Sequence, residues 1–141
     1  MTAVEALQQT LAGEHAAVYV FRALAGRVSA SAQPTLAGRL ATAYTTHRAR
    51  RDQLTAMVRA AGGDPVAAAV SYELPNPSQT AAQLTDGALV TEQRCAQVYG
   101  AMVGNTSRAN RQWALDAMTD AAVRQLSFGG RPEPFPGVPE L

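Results

Sequence analysis

The strongest constraint on this chain lies in residues 2–28, where Val4, Leu7, Leu11, Glu14, Val18, Phe21, Ala25 and Val28 recur at alternating three- and four-residue spacing. That period is one stripe of an α-helix turned toward a core. A carboxylate stands in the middle of it. An ionised carboxylate left unpaired in an apolar interior costs several kcal/mol, so Glu14 demands a cationic partner: a metal ion, an arginine or a protonated histidine. The other helices must supply it.

Thr2 and Glu5 form a capping-box pattern that starts helix 1 at about residue 3 and carries it to about 28. A short turn leads to Pro34, suited to the first position of helix 2, so helices 1 and 2 are expected to be antiparallel neighbours. Helix 2, about 34–61, carries Leu36, Leu40, Ala43, His47, Arg50, Leu54, Met57 and Ala61 on one stripe until Gly62-Gly63-Asp64-Pro65 stops it. The stretch 62–76 is the one long connection, with only a weak helical piece at 66–70. At about 3.3 Å per extended residue it can span a bundle end to end.

Helix 3 is expected at about 77–103, starting at Pro77 with Asn76 as its cap, and it turns Leu84, Ala88, Glu92, Cys95, Tyr99 and Met102 to one side. Ser107 can cap helix 4, about 107–126, which runs through Trp113, Asp116, Ala117, Asp120 and Val123. Short, long and short connections predict an all-α, ferritin-like four-helix bundle with one long crossover between helices 2 and 3. The tail, 127–141, is too rich in proline for a helix. Its Phe135, Val138 and Leu141 predict extended packing along the bundle or against a second subunit.

Composition narrows the function classes. A chain of 141 residues suits one domain, 1–141, rich in alanine and poor in aromatics, as closely packed helices require. All 12 basic residues are arginine, yet the net charge of +1 offers no bulk field for a polyanion, so nucleic acid is not expected as a partner. Cys95 is alone, which implies neither a disulfide nor an oxidising compartment. No run reaches membrane-spanning length and no signal-peptide pattern opens the chain, so a cytoplasmic location without membrane attachment is the expectation.

Ferritin-like di-iron sites need one glutamate from each of two helices and a Glu-x-x-His pair from each of the other two. Here Glu14, His47 and Glu92 lie at matching mid-helix depths, but Tyr44 stands three residues before His47 and helix 4 contains no histidine. Arg50, one turn from His47, can offer a guanidinium fork to Glu14 or Glu92. The expected centre is therefore a buried polar network of Glu14, Tyr44, His47, Arg50 and Glu92 with no cofactor. The alternative is a single iron or manganese ion on Glu14, His47 and Glu92. His15 points about 100° away from Glu14 and is read as a boundary residue, and Arg48 and Arg51 as an outward, solvated face.

The blocks Ala12-Gly-Glu-His-Ala-Ala-Val-Tyr19, His47-Arg-Ala-Arg-Arg-Asp52, Tyr72-Glu-Leu-Pro75 and Pro134-Phe-Pro-Gly-Val-Pro-Glu140 resemble an actinobacterial ferritin-like family of unknown function. The resemblance covers essentially the whole chain. It implies a ferritin-like bundle and no established reaction, substrate or cofactor. The expected function is a binding or structural module that forms a homodimer, with a metal-dependent ferritin-like oxidoreductase as the alternative. A small-molecule binding module, using a cavity between alanine-lined helices, is a third expectation.

Overall fold

Thr2 and Glu5 close the predicted capping box, Glu5 N donating to Thr2 Oγ1 at 3.1 Å and Thr2 N to Glu5 Oε2 at 2.6 Å. In this computed structural model, which describes residues 1–138, the box opens α1 (Ala3–Arg27). Pro34 starts α2 (Pro34–Ala60), which ends before Gly62 takes the left-handed conformation at φ +82°. α3 spans Ala81–Asn105 and α4 Arg108–Ser127. The described residues are all-α, without a strand.

Two details correct the expected boundaries. α3 begins four residues after Pro77, at a second capping box in which Gln83 N donates to Thr80 Oγ1 at 3.1 Å. Asn76 does not cap it: its Oδ1 accepts from Ser78 N at 2.8 Å, a local turn between Pro75 and Pro77 that holds the backbone out of the helix. Residues 66–70 are not helical either. Flanking contacts hold that segment extended, Gln8 Oε1 accepting from Val66 N at 2.9 Å and His15 Nε2 lying 2.9 Å from Val66 O. Ser107 occupies the N-cap of α4 without a side-chain cap bond, its carbonyl instead accepting from Arg111 N at 3.3 Å.

The connection 61–80 follows α1 along its length. It touches Gln8 through Asp64 O at 2.6 Å, then His15, then Tyr19 through Tyr72 (ring centroids 5.5 Å), and finally Arg27 through Pro77 O at 3.2 Å. α3 thus starts at the end of the bundle where α1 finishes. Gly87 faces Leu24 and Gly13 faces Val98, so α1 and α3 are antiparallel. α1 packs closely on α2 and α3, and α3 on α4. α2 and α4 are bridged by longer polar side chains, Arg39 to Ser127 O at 2.9 Å and Trp113 Nε1 to Gln53 at 2.7 Å.

The core has two apolar ends. Phe21, Leu24, Leu40, Leu84 and Phe128 fill one, and Leu7, Leu11, Leu54, Val58, Met102 and Ala114 the other. On α1 the buried line drifts by one residue after Glu14, to Ala17, Val20, Phe21 and Leu24, because 3.6 residues per turn does not divide the sequence spacing evenly. All six expected core residues of α3 are buried. α4 buries Ala114, Ala117, Ala121 and Gln125, whereas Val123 is 60% exposed. The tail returns to α3 at Gly137 (φ +75°), where a Cβ would overlap the Ala96 carbonyl. Of the tail residues named above, Leu141 lies outside the described residues, as do residues 139 and 140.

Candidate functional site: a buried polar layer

Between the two apolar ends lies a layer of charge. His47 Nδ1 meets Glu14 Oε2 at 2.6 Å and His47 Nε2 meets Glu92 Oε1 at 2.8 Å, with all three side chains fully buried. A carboxylate accepts hydrogen bonds, so a ring flanked by two of them donates from both nitrogens and is an imidazolium. Burial works against that charge. The Glu14 charge and hydrogen bond, followed by those of Glu92, outweigh it and raise His47 from 6.5 to about 9. Phe21 stacks on the ring at 5.1 Å and 9°, closing one face.

Tyr99 donates its hydroxyl to the second oxygen of Glu14 and accepts from Arg50 Nη1 at 3.2 Å. Burial, then the Glu14 charge, pushes Tyr99 well above its usual range, so the hydroxyl keeps its proton. Arg50 pairs with Asp120, which also accepts from Arg124 Nη1 at 2.7 Å. Burial would raise the Asp120 carboxyl, but the Arg124 bond and charge, then those of Arg50, hold it below the usual carboxylate range. Arg124 Nε lies 3.8 Å from Glu92 Oε1 and links the two halves. Three carboxylates, Glu14, Glu92 and Asp120, therefore face three cations, His47, Arg50 and Arg124.

Glu14, His47 and Glu92 meet as the sequence places them, but the details differ. Arg50 reaches Asp120 and Tyr99 instead of Glu14 or Glu92, because Tyr99 occupies the near oxygen of Glu14. Tyr44 is outside the network: it is half-buried, with the Arg48 guanidinium 5.6 Å over its ring, because position 44 lies at the edge of the α2 stripe. Tyr99, Asp120 and Arg124 join the network without having been singled out for it. Asp120 and Arg124 carry a legible signal, an acid and a base one turn apart on a helix.

Glu14 and Glu92 lie on opposite edges of the imidazole, whereas the donor atoms that gather within 4.8 Å of one another belong to Glu14, His47 and Cys95. Burial, then the charges of Glu14 and Glu92, raises the Cys95 thiol well above its usual value, which keeps it protonated. Glu92 Oε2 is buried with no hydrogen-bond partner among the described residues.

The fold and site define a four-helix protein with a charge-balanced polar layer between two apolar ends. The chain belongs to the family described as a domain of unknown function, DUF4439, whose model matches residues 6–140. It is similar to a conserved hypothetical protein, rv2844, from Mycobacterium tuberculosis, whose crystal structure matches with 30% sequence identity and a TM-score of 0.82. That match covers 90% of this chain and 88% of the other. No curated protein matches the chain. Among the described residues no helix is long and apolar enough to cross a membrane.

Proposed function

We propose that the chain is a ferritin-like bundle acting as a binding or structural module, in which protein cations neutralise the buried carboxylates that a metal would neutralise in ferritin-like enzymes. The observation that carries this reading is His47, whose two nitrogens are each engaged by a carboxylate at hydrogen-bond distance. A nitrogen that donates a proton has no lone pair for a metal, and the layer is already neutral with three cations against three carboxylates. The end-to-end course of 61–80 along α1 supports the ferritin-like connectivity.

Metal analysis of protein purified without chelator is the test. Substoichiometric iron, manganese and zinc, unchanged in Glu14→Gln, is the expected result. Stoichiometric metal that disappears in that variant overturns the reading.

The second reading is a metal-dependent oxidoreductase, favoured by the unpartnered Glu92 Oε2 and by the convergence of Glu14, His47 and Cys95. Those residues would hold the ion once His47 gave up a proton, and a bound iron or manganese would supply redox chemistry. We further propose a homodimer, supported by the exposed Val123 and Leu126 of α4 and by the prevalence of two-fold oligomers. Sedimentation velocity giving a monomer at all accessible concentrations would remove it.

A further inference from the structure

Gly13, Ala16 and Ala17 make three small positions on the α1 face that meets α3. At Gly13 the helices touch, and a Cβ there would lie 3.2 Å from Val98 Cγ2. About one turn further on they part around a cavity of about 270 Å³, walled by Ala16, Ala17 and Val20 of α1 and by Cys95 and Val98 of α3. Tyr72 of the 61–80 connection covers it, with Glu73 and Arg94 at its mouth.

The polar groups of the inner wall are engaged, and the charged side chains of Glu73 and Arg94 stand exposed at the mouth. Thr91 Oγ1 donates to Gly87 O at 2.7 Å, and the Tyr72 hydroxyl accepts from Ala69 N at 2.9 Å. The inner wall therefore offers water few partners. An enclosed apolar cavity of about 150 Å³ takes benzene, and this one, open to solvent beside Glu73 and Arg94, is larger. The cover is attached unevenly. The connection is anchored near Gln8 and His15 at one end and by Arg27 at the other, whereas Ala67, Ala68 and Val70 between them are exposed. A ligand can therefore enter beside Tyr72 without parting α1 from α3.

We propose that this cavity is a binding site for a small, uncharged aromatic or branched apolar molecule, which packs against the Ala16–Val20 face of α1 and touches the Cys95 thiol. The proposal deepens the binding-module reading by giving it a site and a ligand class, and its amide-shift test reads the Ala16–Val20 face of α1 whether or not the polar layer carries a metal. The ligand stops at Cys95, the residue that separates the cavity from Glu14 and His47.

The full chain, titrated with indole and followed by amide chemical shifts, tests it. Saturable shifts are expected at Ala17, Val20, Cys95 and Val98. Labelling of Cys95 by methyl methanethiosulfonate, which reaches this buried, protonated thiol only through transient opening, should slow about tenfold when free indole exceeds its dissociation constant about tenfold. Filling the cavity from either wall, by Ala16→Phe or by Val98→Phe, should remove both effects. Two independent variants guard against one failing to fold, and the wild-type shift map decides the matter if both fail. Absence of saturable shifts, shifts mapping elsewhere, or persistence of both effects in a folded filled variant overturns the site. Metal found by the preceding test would overturn only the metal-free reading.

Discussion

The two halves of the polar layer use the same chemistry in different solvents. On the α1–α2–α3 side, Glu14, His47 and Glu92 are sealed from water, and Phe21 and Tyr99 close the remaining faces. On the α4 side, Arg50 and Arg124 share Asp120, whose side chain is 44% exposed in the cleft between α2 and α4. Water can replace a lost partner at Asp120 and cannot at Glu14. The inner half should thus be intolerant of single changes and sensitive to pH, and the outer half tolerant and sensitive to salt.

The largest effect is expected from His47→Ala, which leaves two buried carboxylates facing each other and should destabilise by about 3–5 kcal/mol in urea unfolding. A loss below about 1 kcal/mol would mean the inner half is wet and the contrast false. Next comes pH. The folded His47 value of about 9 exceeds the unfolded 6.5, so its contribution is fully present below about 6.5 and is lost as pH rises to about 9. A gap of that size corresponds to about 3 kcal/mol. Stability measured from pH 6 to 10 should fall across that window in the wild type and stay flatter in His47→Gln.

Arg50→Met should cost less, about 1–2 kcal/mol, because Asp120 keeps Arg124 and Tyr99 keeps Glu14. A loss as large as that of His47→Ala would make the two halves one indivisible network. The smallest effect, within about 0.5 kcal/mol, is expected for Asp52→Ala, whose partner Arg51 lies on the outer surface. If high salt weakens the wild type and the Arg50→Met variant equally, the outer half owes little to charge.

Much of this was legible in one dimension. Leu7, Leu11, Glu14 and Phe21 of the α1 stripe, the α2 line Leu40–Ala43–His47–Arg50–Leu54 and the six α3 core residues are buried as their spacing requires. α4 was the least readable helix, because its buried line consists of three alanines and Gln125, which carry too little contrast to mark a face. The start of α3 was obscured because Pro75 and Pro77 are strong local signals, while the capping box four residues on is two ordinary polar side chains. The cavity left only its small residues as a trace, since spacing gives no measure of how far helices stand apart.

By itself the sequence determined that four helices form, the inward line of α2 and α3 around mid-helix, and that Glu14 must find a cation at mid-bundle. Those properties follow from backbone periodicity and from the cost of burying charge, both local or nearly so. Tertiary structure alone decided the pairing. Glu14 meets His47 across 33 positions and Tyr99 across 85, while Arg50 reaches past both to Asp120, 70 positions away. Depth along a helix narrows the candidates. The choice among them depends on inter-helix distance and side-chain reach, which exist only after the helices have packed.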